Sequence, residues 1–177
     1  LPQAVAQVAA QGAWGVLIRA LPSGKVREAV VGLGTPAVPA LIQALGDKDK
    51  DVRRAAARAL GAIGAPQAVP ALSVWAHAGE DAAHNALQAL GHPVLDLPQA
   101  VAQLAAEGAW GVLIRALPSG KVREAVVGLG APAVPVLIQA LGDSSSSVCC
   151  AACEALGAIG DSQAVPALIQ ALEDDWY

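Results

Sequence analysis

Three cysteines crowd one short stretch, SSSSVCCAACEALGAIG at residues 144–160. Thiolates at Cys149, Cys150 and Cys153 are the groups that soft metals and redox chemistry use. Their spacing argues against the usual forms of both. Structural zinc takes four ligands, and no partner stands at ligand spacing from these three. An odd count on one segment is not a disulfide framework, and adjacent Cys149 and Cys150 on a helix would point about 100° apart. Three readings remain open: small half-buried packers on a helix, a soft-metal or thiol-modification site, or an engineered labelling or oxidation site. Unpaired thiols persist in reducing compartments, so the trio also suggests the cytoplasm.

The remaining chemistry-bearing groups are sparse. His77, His84 and His92 are spaced by seven and eight residues, not the i, i+4 step that sets two imidazoles on one helix face. They are expected to be solvated, with no metal. Gly-x-Gly at 32–34 and 128–130 follows no strand, so it marks a helix end rather than a nucleotide loop. No nucleophile–base pair or paired acid stands out. The expectation is a protein that is not an enzyme and carries no cofactor.

The elements that hold these residues emerge from repetition. Residues 1–47 and 97–143 differ at four positions: Val8/Leu104, Gln11/Glu107, Thr35/Ala131 and Ala40/Val136. Within this duplication lies a finer two-helix unit. The first helix is typified by VRRAAARALGAIG (52–64) and the second by AVPALIQALGD (37–47). Val52, Ala56, Ala59, Leu60 and Ile63 form one apolar stripe; Val38, Leu41, Ile42 and Leu45 form the other. Gly34, Gly64, Gly130 and Gly160 stand where helices end. Pro36, Pro66 and Pro132 stand where the next ones start, with Pro39, Pro70, Pro135 and Pro166 still in the first turn. About 13 helices of mostly 9–13 residues follow. They group into units 1–24, 25–47, 48–79, 80–96, 97–120, 121–143 and 144–177 of a single domain. The unit 80–96 has one helix plus the stub HPVLD. One hairpin cannot bury its own stripe, so stacking into an all-α solenoid is the expected fold.

Composition limits the partners. The 177 residues are 55% hydrophobic and 15% charged, with 18 Gly, 12 Pro, no Phe and no Met. A net charge of −4 without Lys/Arg runs speaks against nucleic acid. The uncharged window 29–46 reaches membrane-spanning length, but Gly32, Gly34, Pro36 and Pro39 punctuate it, so two short helices are expected and no membrane. The chain opens on Leu, as a processed chain or fragment would, and no signal-peptide pattern follows.

DVRRAAARALGAIG…QAVPALIQAL resembles the HEAT-like repeat of phycobilisome (bilin) lyases, closely over 25–79 and 121–173 and loosely over 1–24 and 97–120. That resemblance implies a solenoid whose second helices line a concave face. It also brings in the di-iron deoxyhypusine hydroxylases, whose first helices carry His-Glu pairs. Here those slots hold His84-Asn85, Arg27-Glu28, Arg54-Ala55, Arg123-Glu124 and Cys150-Ala151, which excludes that activity. On the implied face one row reads Arg19, Gln43, Val74, Arg115, Gln139 and Gln170. The next row is alanine except at Trp75, which is either an interface anchor or a plug over the abbreviated unit. Trp14 and Trp110 are expected in the core. The leading expectation is a scaffolding module that binds a protein or peptide. A chromophore-handling bilin-lyase-like subunit and a designed repeat protein are the alternatives. Because 1–12 is written like the interior segment 97–108, the N-terminal solenoid end is expected to be uncapped and to stack on another copy, as a homo-oligomer, or on a removed portion of the parent protein.

Overall fold

The computed structural model describes residues 2–174; residues 1 and 175–177, at the outer edges of the first and last predicted units, lie outside it. Among the described residues there are thirteen α-helices and no strand, an all-α solenoid fold. The helices group into two compact units, 1–96 and 97–177, divided at the boundary of the duplication where the sequence suggests one domain.

In the first unit α1 (Pro2–Ala10), α3 (Gly24–Val31), α5 (Lys50–Ile63) and α7 (Asp81–Leu90) pack in succession as one layer. The second layer holds α2 (Trp14–Ala20), α4 (Val38–Ala44) and α6 (Val69–His77). The second unit repeats the plan with α8 (Leu97–Ala106), α10 (Gly120–Val127) and α12 (Ser146–Ile159) in one layer. Its other helices are α9 (Trp110–Ala116), α11 (Val134–Ala140) and α13 (Val165–Asp174).

Lengths run from 7 to 14 residues, so many helices are shorter than the sequence suggests. For α4 and α11 the reason is local: each begins after a three-residue 3₁₀ turn that carries a Pro in its first positions. The four glycines predicted at helix ends all take positive φ. At Gly64 and Gly160, which terminate the two longest helices at φ +77° and +69°, any Cβ would be strained. No single helix among the described residues is long and apolar enough to cross a membrane; the apolar stretch of the second copy bends by 114° between α10 and α11.

The predicted stripes are the core. Val52, Ala56, Ala59 and Leu60 are buried and Ile63 is half-buried. Ala55 and Ala57 are buried too, because α3 and α7 pack against α5 together. Burial of each leucine contributes about 2 kcal/mol. Trp14 and Trp110 are half-buried rather than enclosed.

A backbone strap runs beside the abbreviated unit. Residues 92–96 run without helix beside α6. There the Leu95 N–H donates to Ser73 Oγ at 3.0 Å, and His77 Nε2 lies 2.9 Å from the Leu95 carbonyl. A carbonyl only accepts, so that ring nitrogen carries the proton. Ser73 is the one fully buried polar side chain among the described residues, and its hydroxyl is satisfied by this bond. His77 is therefore a half-buried fastener rather than a solvated histidine, whereas His84 and His92 are exposed.

Candidate functional site

The predicted row on the second-layer helices divides into exposed and sequestered members. Arg19, Gln43, Gln139 and Gln170 are exposed. Val74 is completely buried and Trp75 is 5% exposed, so neither is a surface anchor. The Trp75 Nε1–H donates to the Leu45 carbonyl at 2.9 Å, which leaves no polar atom wanting and fixes the indole against the C-terminus of α4. The Arg53 guanidinium stacks over the ring, 4.7 Å from its centroid, and donates to the carbonyls of Asp47 and Lys48 at 2.9 and 3.0 Å. A cation and an N–H donor at carbonyls past a helix C-terminus complement its partial negative charge. Trp75 is an internal cap. Periodicity could not reveal this, because the groups that enclose it come from α5, α7 and the loop after α4.

Arg115 is also spoken for. It forms a two-pronged pair with Asp143, Nη1 to Oδ1 at 2.8 Å and Nη2 to Oδ2 at 2.7 Å, with both side chains less than one-fifth exposed. Asp143 Oδ1 in addition accepts the Ser145 N–H at 2.8 Å, ahead of α12. The fork thus ties α9 to the start of α12. Arg19, its copy in the first unit, is exposed and makes no ion pair among the described residues, so it is the cation of this row with a surface to offer.

The cysteines lie on α12 as three thiols. Cys149 is half-buried, and its S–H donates to the Leu141 carbonyl at 3.1 Å. Cys150 is exposed and Cys153 is half-buried. Glu154, one turn beyond Cys150, pairs with Arg123 at 3.0 Å. No group of three His, Cys, Asp or Glu side chains suited to a metal ion occurs among the described residues.

Two surfaces escaped the sequence reading. On α13, Val165, Ile169 and Leu172 are 50%, 53% and 65% exposed at i, i+4 and i+7. Their first-unit counterparts are Val69, Ser73 and Ala76; Val69 is 6% exposed and Ser73 is fully buried, beneath α7 and the 92–96 segment. The signal was present in the alignment of the two copies, as Ser73 against Ile169. The other surface is an open groove of about 630 Å³ between α1 and α3, with Ala6, Ala29 and Leu33 as its apolar floor and Lys25 and Glu28 on its rim.

Stacked two-helix units in two layers, with Pro-initiated second helices, lead to comparison with known repeats. The model for HEAT repeats matches residues 4–91 and again 80–177. The chain belongs to the HEAT-repeat family. No curated protein matches it. The two HEAT matches share residues 80–91, which contain α7, the helix that completes the first unit.

Proposed function

We propose that this HEAT-repeat chain is a non-enzymatic binding or scaffolding module that recognises a protein or peptide through its second-layer helices. HEAT repeats commonly mediate protein interactions. The observation that carries the reading is the apolar stripe Val165, Ile169 and Leu172 on α13, half or more exposed where the first unit covers the same register. An apolar stripe at helical spacing on the helix that also carries exposed Gln170 has the composition of a partner-binding helix face. Rim polar groups supply orientation and the stripe supplies area.

The test is affinity capture with the full chain as bait, comparing wild type with Ile169→Glu and with Arg19→Ala/Gln43→Ala. Circular dichroism establishes that each variant is folded. A partner retained by wild type and lost at least tenfold with Ile169→Glu supports the reading. If every captured protein is indifferent to all three substitutions, the face is wrong.

A further inference from the structure

The two copies differ most where Trp75 sits. A shift of 96 residues carries Trp75 to Ala171, Arg53 to Cys149, Val74 to Gln170 and Leu45 to Leu141. In the first unit this set is filled: the space left around the indole is about 10 Å³, and Leu45 is 1% exposed. In the second unit the large side chains at these positions are gone, and among the described residues nothing replaces them. A cavity of about 300 Å³ opens there, lined by Ile138, Leu141, Cys149, Ala167, Gln170 and Ala171. Leu141, whose carbonyl takes the place of the indole's acceptor, is now half-buried. That carbonyl receives the Cys149 S–H at 3.1 Å, a weak donor standing in for the N–H that Trp75 supplies in the first copy.

We propose that this cavity is a receptor for the indole ring of a tryptophan side chain presented by a partner protein. The ring lies against Ile138 and the small walls of Ala167 and Ala171, and its N–H takes the Leu141 carbonyl as Trp75 takes Leu45. Leu141, Cys149 and Ala171 on its wall stand at the positions that Leu45, Arg53 and Trp75 hold around the first unit's own indole, and Leu45 is that indole's acceptor. About 300 Å³ is at the lower end of small-ligand sites, which suits one bicyclic ring. Cys149 on the wall makes the site readable, because a seated ring covers its sulfur. This rests on the protein-binding reading and names the chemistry of one contact. It concerns the α12-facing side of α13, whereas Ile169 lies outside the cavity lining, so the pocket and the stripe fail separately.

The experiment is alkylation of the full chain by iodoacetamide, followed by mass spectrometry at Cys149 with exposed Cys150 as internal reference. The probes are indole, 1-methylindole and N-acetyltryptophanamide. Indole should protect Cys149 with half-saturation on the order of 1 mM, as a small ring with one hydrogen bond would. N-acetyltryptophanamide should protect comparably, and 1-methylindole, which lacks the donor, should be about five- to tenfold weaker. Cys150 should react at an unchanged rate throughout. In Ala171→Trp the added ring should slow alkylation of Cys149 without any probe and abolish the effect of indole. Equal protection of Cys149 and Cys150, no protection by N-acetyltryptophanamide, or full potency of 1-methylindole would each overturn the proposal. Trp176 lies outside the described residues, and a faster unprobed reaction at Cys149 in Trp176→Ala would overturn the proposal too, by making the occupant internal. The probe arms use the unaltered chain, so they decide the matter even if Ala171→Trp does not fold.

Discussion

Arg53 and Trp75 act as one device at the level of single residues: a guanidinium over an indole, both turned onto carbonyls at the end of α4. Trp75→Ala removes a large buried ring and leaves a void, so it should cost about 3–5 kcal/mol by denaturant unfolding. Trp75→His, which keeps a five-membered ring and a donor but loses the fused six-membered ring, should fall in between. A loss below about 1 kcal/mol for the alanine variant would contradict the packing described. Arg115→Ala removes the guanidinium fork from Asp143 at the start of α12 and should cost about 1–3 kcal/mol. It is thus a stability variant, and Arg19→Ala is the surface probe. Of the row expected to bind, Gln43, Gln139 and Gln170 were legible as exposed because their own helix period determines it. Val74 and Trp75 were not, because their burial depends on segments outside α6.

Two helices spelled alike can meet different neighbours, and α5 and α12 demonstrate it at the scale of the element. Both end in LGAIG. At Gly61 an added Cβ would lie 3.0 Å from Ala86 Cα and 3.1 Å from its Cβ, since α7 crosses there; at Gly157 nothing lies within 4 Å. Gly61→Ala should therefore destabilise by about 1–3 kcal/mol through overpacking. Gly157→Ala should be neutral or stabilise by up to about 1 kcal/mol through helix propensity. Paired thermal melts check this, and like signs for the two variants would refute the close α5–α7 crossing. Helix existence and helix ends were readable from the apolar period and the Gly and Pro positions. Helix length was less so, because the 3₁₀ turns at Pro36, Pro66 and Pro132 take residues that periodicity assigns to the α-helix. The 92–96 strap on Ser73 and His77 was unreadable, since it consists of one backbone N–H and one backbone carbonyl.

For the molecule as a whole, the duplication makes neighbours the variable. Segment α8 buries Leu97, Ala100, Val101 and Leu104, whereas in α1, spelled almost identically, Ala4 is exposed and Val8 half-buried. We propose that the α1 end, where Ala4 and Ala6 are exposed, stacks on a second copy. Sedimentation velocity should show concentration-dependent association that Ala6→Glu abolishes, and a strict monomer at high concentration would refute it. The sequence by itself determined the all-α class, the repeat and its punctuation, because these follow from periods and backbone preferences that each segment carries alone. Only the tertiary structure decided that Trp75 is enclosed, that Arg115 is clamped, that α13 shows an apolar stripe and that a cavity stands at Ala171. Each of those depends on which atoms a distant segment brings near, and near-identical copies of one sequence can meet different company.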